Sequence, residues 1–297
     1  MSELADAVGA VAGQRRTRRW RRFGLLVATT MVAGYTAICA VLFFVQDQLI
    51  YVPKVGGYGR SPADMGLPFE DLTLTAAGGT SIAAWYIPHP GDPATVIYCH
   101  GNGGSLPGWL GAAKSLYTLG FSVLLFDYPG YGRSGGRPTE AGLYAAADAA
   151  WDFLTDQRGL PASRIVVFGR SLGGAVAIDL AARHTPAALV VESTFTSMVD
   201  MGRQEYPWLP IALLCTHRYD SLAKIGRVRC PKLFFHGADD ELVPLAQSRR
   251  LFDAAEQPKE LIVTPGGHNT SGFEHDWESM QQFRAWLQGV VPSSGPA

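Results

Sequence analysis

Residues 164–178 join two patterns: an apolar, β-branched run, Ile165-Val166-Val167-Phe168, enters Gly169-Arg170-Ser171-Leu172-Gly173, and a helical pattern beginning Gly174-Ala175-Val176-Ala177-Ile178 leaves it. A serine on a sharp turn from strand to helix sits in strained backbone, and Gly169 and Gly173 remove the side chains that would collide there. The turn reads as a nucleophile elbow with Oγ pointing outward. A serine nucleophile needs a base, an acid that orients the base, and donors for the oxyanion, so the rest of the chain can be searched for them.

The five-residue pattern occurs twice, because Gly132-Arg133-Ser134-Gly135-Gly136 also fits it. Ser134 follows Tyr128-Pro129-Gly130-Tyr131 with no strand directly before it and precedes Arg137-Pro138. It reads as a turn residue shaping the rim, and Ser171 as the nucleophile.

Of the seven histidines, chain order favours His268, which follows an apolar strand pattern and Pro265-Gly266-Gly267 and precedes a final helix; the partners of an elbow serine come in the order acid, then histidine. His275 is the runner-up, and His100 and His236, each ending a strand in a His-Gly pair, suit structural hydrogen bonding. The loop 236–244 offers Asp239, Asp240 and Glu241 as the acid, with Glu192 a more distant candidate, and the residues alone leave this choice open. For the oxyanion we select two backbone N–H groups: that of Leu172 and that of Asn102, in the loop His100-Gly101-Asn102-Gly103-Gly104. A glycine-rich loop before a helix can also cradle phosphate, but the P-loop lysine and spacing are absent. Asn269-Thr270-Ser271 matches a glycosylation sequon, which we read as coincidence because a glycan there would obstruct His268.

Short continuous apolar runs alternating with helical stretches predict a mostly parallel, doubly wound α/β sheet covered on both faces. Strands are expected at 95–99, 122–126, 165–168, 188–192, 232–235 and 260–263, after an antiparallel hairpin at 69–75 and 80–87. Helices are expected near 106–119, 139–157, 172–184, 245–256 and 274–289. The interval 193–229 is too long for an ordinary connection and is expected to form a small cap. The folded domain is expected over 69–291, after a Gly/Pro/Tyr-rich connector at 46–68 and before a short tail, 292–297.

The chain has 297 residues, 47% of them hydrophobic and 17% charged, and the apolar excess has a location: residues 24–45 carry no charge. A bilayer span needs about 20 apolar residues, whereas a secretory h-region has about 7–15, and no small-residue cleavage pattern closes this run. It is expected to be an uncleaved signal anchor. Arg15, Arg16, Arg18, Arg19, Arg21 and Arg22 precede it, so residues 1–23 are expected in the cytoplasm and the catalytic domain outside. A formal net charge of -1 gives no reason to propose a nucleic-acid partner. Cys215 and Cys230 are the only pair suited to a disulfide, though free cysteines are the default expectation, and no Cys/His spacing resembles a zinc site.

Together these stretches resemble the α/β-hydrolases, and more narrowly the N-terminally membrane-anchored α/β-hydrolase-domain proteins near the prolyl-oligopeptidase-like and serine-aminopeptidase-like branch. The resemblance is carried by Leu49-Ile50-Tyr51-Val52-Pro53, His100-Gly101-Asn102-Gly103-Gly104, Asp127-Tyr128-Pro129-Gly130-Tyr131-Gly132-Arg133-Ser134, the Ser171 elbow, Cys230-Pro231, His236-Gly237-Ala238-Asp239-Asp240 and Gly267-His268-Asn269. It implies Ser171 as nucleophile, His268 as general base, Asp240 as the orienting acid, and Asn102 with Leu172 as oxyanion donors. Gly103-Gly104 departs from the pair many relatives carry, which loosens the subfamily. The expected activity is hydrolysis of carboxylic esters or thioesters, with a lipid-like or small acyl substrate and neither metal nor cofactor. A peptidase acting on short peptides is the alternative, and a non-catalytic binding protein a more remote one.

Overall fold

The structure is a computed structural model that describes residues 2–91, 94–274 and 277–291. The chain divides into two compact units, Met1–Gln46 and Asp47–Ala297. Helix α1 (Ser2–Ile50) makes up the first unit and ends inside the second. Within it, Arg18–Ile50 is long and apolar enough to cross a membrane, with a mean hydropathy of 2.0 over its most apolar window. Leu25, Leu26, Met31 and Phe44 on this helix are exposed, an apolar surface costly to leave in water. The helix is therefore a candidate membrane span.

The second unit runs β1 (Val52–Pro53), β2 (Glu70–Ala76), β3 (Thr80–Ile87), β4 (Thr95–Cys99), β5 (Gly103–Gly104), α2 (Leu110–Thr118), β6 (Ser122–Phe126), α3 (Glu140–Asp152), β7 (Ile165–Arg170), α4 (Leu172–Arg183) and β8 (Ala188–Glu192). It continues through α5 (Met198–Glu205), α6 (Ile211–Leu214), α7 (Ser221–Ile225), β9 (Lys232–Gly237), α8 (Leu245–Ala254), β10 (Lys259–Thr264) and α9 (Trp277–Val290). Eight strands form one sheet in the order β10-β9-β8-β7-β4-β6-β3-β2. Among the described residues of this sheet, only the pairings of β2 with β3 and of β3 with β6 are antiparallel. This is the α/β-hydrolase architecture expected from the sequence.

The period of two along each central strand divides the core. Ile97, Leu124, Val167, Leu189 and Phe234 point to one face, where α3, α4, α7 and α8 supply Leu143, Val176, Ile225 and Leu251. Val96, Val123, Val166, Val190 and Leu233 point to the other, where α2 and α9 supply Leu116 and Phe283. Strands covered on both sides cannot alternate with polar residues, which is why they read as continuous apolar runs.

Two segments differ from the expected plan. The interval 193–229, expected to form a small cap, holds three short helices, and Ile225 of the last, α7, is fully buried in the core, so α7 is part of the domain's packing. The segment 46–68, expected to be an irregular connector, is folded onto the domain: Tyr51 is 3% exposed and β1 pairs in parallel with β5. His275 and the tail 292–297 lie outside the described residues.

Candidate active site

Parallel strands in register bring their carboxyl ends to one edge, and the loops leaving that edge form the crevice of an open α/β sheet. The register pairs Cys99 of β4 with Gly169 of β7, Arg170 with Glu192 of β8, Glu192 with Phe235 of β9, and His236 with Val263 of β10. The loop at Asn102, the turn at Ser171, the loop at Asp240 and the loop at His268 therefore leave neighbouring strand ends.

Ser171 has φ 52 and ψ -119, left-handed backbone that a non-glycine residue adopts at a cost of about 1–3 kcal/mol. The surroundings enforce it. Its N–H donates to the Glu192 carbonyl at 2.8 Å, and its own carbonyl accepts from the Thr194 hydroxyl at 2.8 Å. The two flanking glycines are required by contact: a Cβ on Gly169 would stand 2.2 Å from the Gly173 carbonyl oxygen, and one on Gly173 would stand 2.0 Å from that of Cys99. The second contact also shows how closely the start of α4 abuts the end of β4 and the loop that follows.

His268 Nε2 lies 3.1 Å from Ser171 Oγ, and His268 Nδ1 lies 2.8 Å from Asp240 Oδ2. A carboxylate only accepts, so Nδ1 carries the proton and donates to Asp240, leaving Nε2 to accept from the serine hydroxyl. Of the three carboxylates in the loop after β9, Asp239 and Glu241 are exposed and Asp240 is buried. Asp240 Oδ1 also accepts from the Val243 N–H at 2.8 Å. Burial pushes the Asp240 carboxyl up, but hydrogen bonds from His236, His268 and Val243 outweigh it and hold the group well below the usual carboxylate range.

The loops bearing Asp240 and His268 are tied together. Ala238 N–H donates to the Thr264 carbonyl at 2.8 Å, Asp239 N–H donates to that of Gly266 at 3.1 Å, and a Cβ on Gly237 would stand 2.3 Å from the Gly266 carbonyl oxygen. His236 and His100 serve as scaffolding. His236 Nδ1 is 2.6 Å from Ser248 Oγ, and its Nε2 is 2.6 Å from the Val243 carbonyl oxygen. His100 is buried 3.3 Å from Asp127 Oδ1. Ser134 is likewise structural in its contacts: its hydroxyl accepts from Ala83 N–H at 2.9 Å and donates to the Asp127 carbonyl at 3.0 Å.

Leu172 opens α4, where a helix's first N–H groups have no intrahelical acceptor and the helix dipole favours negative charge. Asn102 lies beyond β4, and its side chain is occupied: Oδ1 accepts from Tyr131 OH at 2.7 Å and from Val52 N–H at 3.3 Å, while Nδ2 donates to the Ile50 carbonyl.

Arg170 was invisible to sequence reasoning, which treats the second position of the elbow pattern as variable. The side chain is buried. Its guanidinium lies 3.2 Å from Glu192 Oε1, donates to Glu274 Oε1 at 3.0 Å, and donates to the His268 carbonyl oxygen at 2.8 Å. One cation thus links the elbow to the loop that carries His268. In the sequence it is a charge two residues past the apolar run that ends at Phe168, within the elbow pattern.

Two carboxylates share that cation, and burial pushes Glu192 up to about 8, with Arg170 opposing and Glu274 adding to the rise. The folded state therefore holds a proton on Glu192 that the unfolded chain releases near pH 4. Stability from this group is complete below about pH 4 and is lost as pH rises towards 8. Glu192→Gln, which resembles the protonated acid, is expected to remove that slope of about 1.4 kcal/mol per pH unit, read as the difference between variant and wild-type denaturation midpoints from pH 5 to 8. Parallel profiles over this range would show that Glu192 is ionised throughout.

Residues 94–212 match the alpha/beta hydrolase fold family, and residues 166–270 match the serine hydrolase (FSH1) family. An uncharacterized protein of Mycobacterium tuberculosis is 40% identical over 256 residues, covering 85% of this chain and 90% of that protein. The alpha/beta hydrolase domain-containing protein WAV2 of Arabidopsis thaliana is 32% identical, covering 82% of this chain and 89% of its own length. Among solved structures, an esterase of Pyrococcus furiosus superposes with a TM-score of 0.67 at 21% identity, covering 82% of this chain and 99% of that one, a likeness of fold. With a family-model match spanning the elbow serine and relatives 32% and 40% identical that align over most of their length, this chain belongs to the alpha/beta hydrolase family.

Proposed function

We propose that the chain is a membrane-anchored serine hydrolase that cleaves carboxylic esters or thioesters through an acyl-enzyme on Ser171. The observation that carries this reading is the unbroken line Ser171 Oγ, His268, Asp240, at 3.1 and 2.8 Å. Ser171 Oγ attacks the acyl carbon while its proton passes to His268 Nε2, and Asp240 stabilises the imidazolium. The oxyanion takes hydrogen bonds from the Leu172 and Asn102 N–H groups, each worth about 3–4 kcal/mol in the transition state. His268 then protonates the leaving alcohol or thiol. A water deprotonated by His268 attacks the acyl-enzyme, releasing the carboxylic acid and returning the proton to Ser171. The steps need neither metal nor cofactor.

Residues 24–45 are proposed to hold the enzyme in the bilayer, with residues 1–23 cytoplasmic and the domain on the outer side; the arginines preceding the span support this orientation. Nucleic acid has no place in the reading, and lipid-like acyl compounds near the bilayer surface are the substrates it favours.

The test is a fluorophosphonate probe applied to intact cells in membrane-permeant and charged, impermeant forms, with the adduct located by peptide mapping. Both forms should label Ser171. An adduct at another serine removes the assignment, and labelling by the permeant form alone places the domain inside. p-Nitrophenyl esters should turn over faster than aminoacyl anilides; the reverse order identifies a peptidase.

A further inference from the structure

The loop proposed to supply an oxyanion donor is poorly able to hold its own shape. Gly101, Gly103 and Gly104 surround Asn102, and glycine carries the largest backbone entropy of any residue. A donor in an oxyanion site contributes fully only when it is already in place as charge develops. Something outside the loop must fix Asn102.

The structure supplies a brace from the segment Asp47–Gly56. Val52 and Pro53 of β1 pair with Gly103 and Gly104 of β5. Lys54 N–H donates to the Gly104 carbonyl at 2.9 Å, and the Lys54 carbonyl accepts from Gly132 N–H at 2.9 Å. The segment therefore runs as a strip between the Asn102 loop and the turn at Gly132. Its upstream end is pinned as well: Tyr51 OH is 2.8 Å from Tyr219 OH, and Asp47 Oδ1 is 2.7 Å from His217 Nε2. Asn102 is the only residue inside the glycine loop with a side chain to grip. Both ends of its amide are engaged, Nδ2 with the Ile50 carbonyl and Oδ1 with Val52 N–H and Tyr131 OH. An amide oxygen has two lone pairs, and both are used here.

We propose that Asp47–Gly56 acts as a brace for the oxyanion loop, and that the Asn102 side chain is the positioning group through which it, together with Tyr131, holds the Asn102 N–H in place. The inference rests on the proposed hydrolysis at Ser171. It adds that the chain directly after residues 24–45 is part of the catalytic apparatus, so a ligand or mutation that lifts this strip lowers turnover without touching Ser171, His268 or Asp240.

The test uses the full chain in detergent micelles with p-nitrophenyl butyrate. Asn102→Ala retains the backbone N–H and loses only the grip. It is expected to lower kcat by about 10–100-fold, the cost of a small misplacement of reacting groups, with KM within about threefold. Tyr131→Phe should lower kcat by about 3–10-fold, and adding it to Asn102→Ala should cost no more than about a further twofold, since its hydroxyl acts through Asn102. Butylboronic acid, whose tetrahedral adduct on Ser171 fills the oxyanion site, should bind more weakly in step with kcat; a purely structural role for Asn102 would leave that affinity alone. If Asn102→Ala keeps wild-type kcat while Ser171→Ala is inactive, the brace is overturned and the Ser171 assignment stands. Wild-type turnover by Ser171→Ala overturns both. Effects of the two substitutions that multiply in full also overturn the shared brace. Should Asn102→Ala fail to fold, Tyr131→Phe decides alone, and an unchanged kcat overturns the proposal.

Discussion

Asp240→Asn is expected to lower kcat on p-nitrophenyl butyrate by about 10⁴-fold while leaving KM and the folded structure nearly unchanged. The geometry gives the reason. Asp240 accepts from His268 Nδ1 at 2.8 Å and from Val243 N–H at 2.8 Å. An amide in its place can keep one acceptor oxygen, and the natural partner for it is the fixed Val243 N–H. Its NH₂ then faces His268 Nδ1, so the imidazole must carry its proton on Nε2, where it cannot accept from Ser171. Ser171→Ala sets the floor for comparison, and Asp240→Asn should fall close to it. A kcat within about tenfold of wild type would mean that another group orients His268. The same carboxylate contributes to acid stability: its pKa in the folded state lies below the unfolded value, so its contribution is present above about pH 4 and is lost as pH falls further.

Arg170→Met should be the most damaging change that leaves Ser171, His268 and Asp240 in place. The side chain is 6% exposed and holds Glu192, Glu274 and the His268 carbonyl oxygen. Removing the cation of a buried ion pair strands its carboxylate, here Glu274, and typically costs about 3–5 kcal/mol, whereas removing both charges together is often close to neutral. The midpoint of thermal unfolding should drop by about 10 °C for a domain of this size. Turnover should drop as well, because the loop carrying His268 loses its tie to the elbow. Arg170→Met combined with Glu274→Leu should regain a large part of the stability and little of the activity. A double variant no more stable than Arg170→Met would show that the loss came from packing against the Trp109 ring, whose centroid lies 5.7 Å from the guanidinium carbon, rather than from stranded charge.

The sheet was readable because its strands are buried on both faces. Thr95–Cys99, Ser122–Phe126 and Ala188–Glu192 begin and end where the apolar runs do. β7 runs two residues further than Phe168 because Arg170, though charged, stays in the ladder opposite Glu192. The helix expected over 139–157 ends as a π turn at Phe153–Gln157, and the one expected over 106–119 opens with a 3₁₀ turn; hydrophobic spacing does not distinguish these from an α-helix. The brace at Val52–Pro53 left no pattern, since two residues cannot show a period. The contacts of Asn102 are equally silent in sequence because its partners lie 29 and 50 or more positions away. The meeting of Ser171, Asp240 and His268 could be anticipated because a parallel sheet places every strand's carboxyl end at one edge, making chain order a guide to position. The choice of Asp240 over its neighbours required the resemblance, and burial is its physical counterpart.

The sheet order has a consequence for the chain as it is being made. Ser171 leaves a central strand, whereas His268 follows β10 at the edge, 97 residues later. At about 5–20 residues per second, a ribosome takes roughly 5–20 s to cover that interval. Until then the elbow serine has donors nearby but no base, and β9 presents an open edge where β10 will pair. Under the proposed hydrolysis, a nascent chain that has not yet made β10 carries Ser171 in an inert form, and competence arrives only with that strand and the loop bearing His268. On that reading, turnover is timed by the synthesis of β10 and the loop that follows it.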